Sequence, residues 1–337
     1  MGSGRARLAA GLACTYIGLL ALPGLVGRAG AHVVHHREPR AAASARAVSP
    51  MVLHSAGGER VKVRSTAYTA AEIQPLVDAL ASFPHRAEIG SVTLFVATPA
   101  QLEAACGSSA MACYDPWIQQ IYVSGDPDDG SGVPREFVLA HEYGHHLANH
   151  RGNAPWSALE WGTKRWATYE GVCSGVRSGR LSPGDQGLWY WSNPGEAFAQ
   201  SYAELAMPSA DVPWHYEADL EPDSGALRAI RRDTLHPLRG PRRMAWRMRF
   251  GAAGPRVRVR RIATPLDGRI RIAVRERPGR DVRLRVLAGG TRRVLARSQD
   301  TGRREIARVD LCGERAVRVE VRVRRGAGRF AGRLQRP

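Results

Sequence analysis

Val138-Leu139-Ala140-His141-Glu142-Tyr143-Gly144-His145-His146-Leu147-Ala148 predicts a helix that is apolar over most of its surface yet carries histidines and a glutamate. The helix is expected to span about residues 134 to 149, with Pro134 in its first turn and Glu136 where the helix dipole favours an acid. Residues four apart share a helix face, so the His141 and His145 imidazoles can reach one metal ion while Glu142 beside them holds an attacking water. A hydrolytic zinc site needs three protein ligands, an open position for water, and a base near that water. Two ligands and the base are thus in hand. Solvated surface histidines fit badly here, because Val138, Leu139, Leu147 and Ala148 bury the helix, where unpaired His and Glu are costly. His146, one position off the metal face, and His150, past the helix end, are read as structural.

No third histidine continues the motif at the H-x-x-G-x-x-H spacing, so the third ligand must come from elsewhere. Asn193-Pro194-Gly195-Glu196-Ala197-Phe198-Ala199-Gln200-Ser201-Tyr202-Ala203-Glu204 supplies acids on a second helix, with Asn193 as its cap and Pro194 in its first turn. Glu196, in the first turn, is the leading candidate. Glu204 lies on roughly the same face, and Glu160 and Glu170 are remoter alternatives.

With these two segments the chain resembles the gluzincin class of zincin-like metallopeptidases, in particular small secreted bacterial members. The resemblance covers about residues 66 to 206. It implies one Zn2+ ion held by His141, His145 and Glu196, with Glu142 as general base. It implies hydrolysis of a peptide bond, the ion polarising the scissile carbonyl and acidifying a water that Glu142 deprotonates. Where such proteins often place an aspartate that orients a ligand histidine, this chain has Gln200, which still accepts a hydrogen bond from an imidazole. A donor for the developing oxyanion is also needed, and Tyr169, Tyr202 and His215 are all candidates.

Working outward, Thr69 and Glu72 have capping-box spacing ahead of Ile73, Leu76, Val77, Leu80 and Phe83, and Pro84 ends that helix. Residues 91–96 read as a strand, Thr98-Pro99 opens a short helix, and residues 117–123 read as a second strand closed by a Gly/Asp/Pro turn. The resemblance makes residues 118–123 the sheet edge that pairs with an extended substrate. Residues 155–181 look mostly helical, and a short helix is expected near 225–231. Helix, strand, short helix, strand, helix is an α+β order. Beyond Pro255 the apolar period becomes two, with Arg, Glu or Ala between, as in a small β-sandwich. The expected organisation is an export signal at 1–31, a linker or short pro-segment at 32–58, a zincin-like catalytic domain at 59–206, a closing segment and linker at 207–250, and an all-β sandwich at 251–337.

The signal rests on Arg5 and Arg7, the uncharged apolar run from Leu8 to Val26, and Ala29-Gly30-Ala31 as a cleavage site, although the run could also serve as an uncleaved anchor. Cleavage leaves no stable membrane span, and either outcome places the remainder outside the cytoplasm, secreted or in the cell envelope. His35-His36 is read as incidental. Four cysteines remain beyond Cys14, an even number in an oxidising compartment. Of three possible pairings, the Gly107-Ser108-Ser109 loop suits Cys106 with Cys113, leaving Cys173 with Cys312. No CxxC spacing suggests a cysteine zinc site.

From Phe250 to Pro337 the chain has 25 Arg, no Lys and 8 acidic residues, +17 of the +18 formal charge, so the front is nearly neutral. A basic second domain follows, not a basic catalytic cleft. The substrate expected is a peptide or protein. The rival function is a non-catalytic or weakly catalytic envelope protein whose basic sandwich binds an anionic cell-envelope polymer, against which stands a simple coding preference for arginine. Nucleic acid is not expected, because export places the domain outside the cell.

Overall fold

The structure is a computed structural model, describing Gly30–Val33 and residues 48–337 apart from 109, 129, 130, 211–217, 276, 277 and 301–303. Residues 1–29 of the expected signal, His35-His36 and His215 lie outside the described residues.

A six-stranded mixed sheet orders as β1-β5-β6-β4-β3-β2. Its strands are β1 (Gly30–Val33), β2 (Met51–His54), β3 (Arg60–Arg64), β4 (Thr93–Ala97), β5 (Ala110–Asp115) and β6 (Gln120–Ser124). Alternation divides each central strand between two faces. Val61, Val63, Leu94, Val96, Ile121 and Val123 enter the main core beneath α1 (Ala70–Ser82) and α3 (Arg135–Asn149). Phe95, Ala97, Cys113 and Tyr122 enter a smaller cluster with Leu102 and Ala105 of α2 (Pro99–Cys106) on the opposite face.

Local chemistry starts the helices where expected. Thr69 with Glu72, and Thr98 with Gln101, form complete capping boxes. Residues 155–181 fold into three short helices, α4 (Ala158–Trp161), α5 (Lys164–Tyr169) and α6 (Val172–Arg177). They lead to α7 (Pro194–Ala206), whose Asn193 side chain accepts from the Gly195 N–H. α8 (Ser224–Leu235) follows, capped by Asp223.

Several expectations are corrected. The strand expected at 117–123 begins only at Gln120, because Asp115 Oδ1 accepts from the Trp117 and Ile118 N–H groups at 2.9 and 3.3 Å and turns the chain there. It is not a sheet edge: β6 pairs with β5 on one side and β4 on the other. β5, which runs into the Cys113 end of the expected disulfide loop, lies between β6 and β1 (Gly30–Val33), and β1 runs parallel to it at the edge. β2 lies within the stretch read as a linker and pairs with β3. Its alternation spans only four residues, too few to set a period apart from the surrounding chain.

The C-terminal strands are β7 (Arg242–Phe250), β8 (Val257–Ala263), β9 (Gly268–Arg275), β10 (Asp281–Ala288), β11 (Val294–Arg297), β12 (Gln299–Asp300), β13 (Arg304–Leu311), β14 (Ala316–Arg325) and β15 (Gly328–Arg336). They form two antiparallel sheets, ordered β11-β10-β14-β8 and β12-β13-β9-β15-β7, around one core that includes Ile270, Ile272, Leu284, Val286, Val319 and Leu334. It starts earlier than residue 251. β7 (Arg242–Phe250) pairs along its whole length with β15 (Gly328–Arg336), from Arg242 opposite Arg336 to Phe250 opposite Gly328. Trp246 and Phe250 lie in the sandwich core with Met244 and Met248 packed against it, a period of two disguised by the arginines between them.

Both disulfides pair as expected, Cys106 with Cys113 and Cys173 with Cys312. The second ties α6 to the sandwich. Beside it the buried Lys164 ammonium donates to Asn153 O, Ala154 O and Asp267 O, joining both halves. No described helix is long and apolar enough to cross a membrane.

Candidate metal centre

α3 brings His141, Glu142 and His145 to one side, and α7 crosses it bearing Glu196. Gly144 permits the crossing: a Cβ there would stand 2.9 Å from Ala199 Cα and 3.2 Å from Ala199 O. Backbone lies against backbone, which only glycine allows.

The four side chains are almost wholly shielded from solvent, with relative exposures of 3% for His141, 0% for Glu142 and His145, and 1% for Glu196. Glu196 Oε2 lies 3.3 Å from His141 Nε2 and 3.2 Å from His145 Nε2, and the two imidazole rings are 5.0 Å apart. Together they form a buried His-His-Glu group whose donor atoms lie within 4.8 Å of one another, the one such cluster among the described residues. Ligands at ~2.0–2.1 Å in a tetrahedron stand roughly 3.3 Å apart, so these spacings fit one small ion bound by two nitrogens and an oxygen.

Glu196 is also held from its other side. Gln186 Nε2 donates to Oε1 at 2.8 Å and the Tyr190 hydroxyl to Oε2 at 3.3 Å. Burial opposes its ionisation, but His145 and His141 against its oxygen hold the carboxyl well below the usual range. Glu142 is the opposite case. Neither of its carboxylate oxygens has a hydrogen-bond partner among the described residues. Burial first, then the charge of Glu196, pushes its carboxyl well above the usual range.

The remaining candidates disperse. Tyr202 donates to Pro84 O at 2.7 Å and anchors α7 to the end of α1. Tyr169 is exposed and donates to Asp223. Gln200 does not hydrogen-bond to either histidine: its amide donates to Glu204 Oε1 at 3.5 Å and its Oε1 has no hydrogen-bond partner among the described residues. Glu204 stands outside the metal cluster, engaged with Gln200. His146 is structural as expected, set between Tyr114 Oη and Glu88 O at 3.0 Å each. Tyr190 and Gln186 are additions for which the chain carries no motif, because they reach Glu196 from an irregular segment capped by a short 3-10 turn.

The chain matches no protein-family model and no curated protein sequence.

Proposed function

We propose that the chain is a secreted, zinc-dependent metallopeptidase with a zincin-like catalytic domain. One observation carries this: a fully buried carboxylate, Glu142, with both oxygens free, beside a buried His-His-Glu donor set. Such a group is expensive unless the site employs it. Two imidazoles and a carboxylate, leaving a fourth position open, are the donors of a hydrolytic zinc site, and an ion there supplies Lewis acidity toward a carbonyl and toward water.

Glu142 then takes the proton from the attacking water and returns it to the leaving nitrogen. Its raised affinity for a proton suits both halves of that task. Glu196 stays ionised as a ligand, kept in orientation by Gln186 and Tyr190. Tyr169 and Tyr202 donate elsewhere, to Asp223 and to Pro84 O, and the Tyr190 hydroxyl is engaged with Glu196, so none of these three is assigned to the oxyanion. An extended peptide would pair along the outer edge of β5, the flank that Gly30–Val33 uses here beside α3. The two disulfides agree with an oxidising compartment outside the cytoplasm.

The test is metal analysis of the purified full chain beside Glu142→Gln, with an unstructured protein as substrate. About one equivalent of zinc is expected in both, and cleavage only in the wild type, reduced by roughly 10²–10⁴-fold or more in the variant. Full activity in Glu142→Gln refutes the mechanism. Zinc without cleavage in the wild type favours the second reading, an envelope protein that binds anionic polymers, which the clustered arginines support.

A further inference from the structure

Away from the metal cluster, a cleft of about 1200 Å³ opens between α8, the segment that follows it, and the sandwich. Its walls hold eight arginines and no Asp or Glu. Two are neutralised from behind, Arg165 by Asp233 at 2.6 Å and Arg315 by Asp267 at 2.9 Å. Arg231, Arg232, Arg239 and Arg242 are exposed, and their guanidinium groups have no hydrogen bond or ion pair among the described residues. Leu235, Leu238 and Leu266 provide apolar surface between them.

A coding preference for arginine over lysine accounts for residue type, not for position. Residues before Phe250 carry a net charge of only +1, yet they contribute six of the eight arginines lining this cleft. Like charges gathered in a concave wall repel one another and focus a positive field outward. A bound anion relieves that repulsion, and guanidinium forks match carboxylate or phosphate oxygens in pairs. The cleft exceeds the ~300–1,000 Å³ typical of a single small ligand, which suits a chain of anionic groups passing through.

We propose that this interdomain cleft binds a linear polyanion with repeating phosphate or carboxylate groups. The proposal does not depend on the peptidase reading, and its test uses binding alone. The full chain is titrated at low salt with inorganic polyphosphate and, separately, with poly-glutamate. Tighter binding of the first assigns phosphate, and of the second carboxylate. Replacing Arg231, Arg239 and Arg242 by Ala is compared with replacing Arg258, Arg297 and Arg324 by Ala, three exposed sandwich arginines outside the cleft. The cleft triple is expected to weaken binding about tenfold or more, and the sandwich triple less than about threefold, although each removes the same charge. Equal weakening by the two triples, or binding of neither polymer, overturns the proposal. If the cleft triple does not fold, footprinting of the wild type with an arginine-directed dicarbonyl decides: the polymer must protect Arg231, Arg239 and Arg242 more than Arg258, Arg297 and Arg324, and uniform protection overturns it.

Discussion

Glu196 and Glu142 are carboxylates in one buried site with opposite surroundings, and their substitutions should separate. Glu196→Ala removes a ligand and should release the ion, whereas Glu204→Ala, on the same helix but outside the cluster, should retain it. Metal content after dialysis reads this directly, and an exchange of the two results would move the ligand to Glu204. His146 offers a pH test. Burial lowers its pKa to about 4 from an ordinary 6.5, against the raising effect of the Glu88 carbonyl, so the folded protein binds this proton less well than the unfolded chain. Its contribution is therefore whole above about pH 6.5 and is lost as pH falls toward 4. A loss of about 3 kcal/mol over that window is expected from 1.36 kcal/mol per unit. His146→Gln should flatten the slope in denaturant melts, and an unchanged slope would assign it to other groups. The histidines and Glu142 are legible in the chain because their spacing is local. Tyr190 and Gln186 are not, since an irregular segment imposes no period.

The crossing of α3 and α7 sets where Glu196 meets the histidines. Its geometry depends on Gly144, a residue inside the motif itself. Gly144→Ala would drive a methyl into the Ala199 backbone, and overpacking of this kind costs about 1–3 kcal/mol. Lower thermal stability together with weaker zinc affinity is expected, since separating the helices pulls Glu196 from both imidazoles. A variant with lowered stability and unchanged affinity would show that the ligands do not rely on the crossing. Three of the eight α-helices among the described residues, α1, α2 and α7, are foreseeable from their caps, where Thr69, Thr98 and Asn193 act on their own neighbours. Strands are less so. β5 is hidden by Cys113 within it, which reads as the end of a disulfide loop, and β7 by its arginines, and the place of β6 inside the sheet depends on partners distant in the chain.

The metal cluster lies wholly in the part of the chain that precedes the sandwich, and the sandwich is joined to that part through Cys173–Cys312 and the contacts of Lys164 and Arg315. Replacing both Cys173 and Cys312 by Ser should lower stability by about 2–5 kcal/mol while leaving zinc content and peptide cleavage near wild type below the melting transition. Loss of cleavage in a folded, zinc-loaded form would mean that the sandwich shapes the active site. A truncation meant to separate the halves must end before β7, near Gly240, because β7 belongs to the sandwich. By itself the sequence determined the helix bearing His141, Glu142 and His145, the principal caps, the change to period two and the concentration of charge, all of them local or compositional properties. Only the tertiary structure decided that Glu196 and not Glu204 meets the histidines, that Glu142 remains unpartnered, and that arginines from both halves face one cleft. Those outcomes depend on which distant surfaces pack together, and no local spacing encodes that.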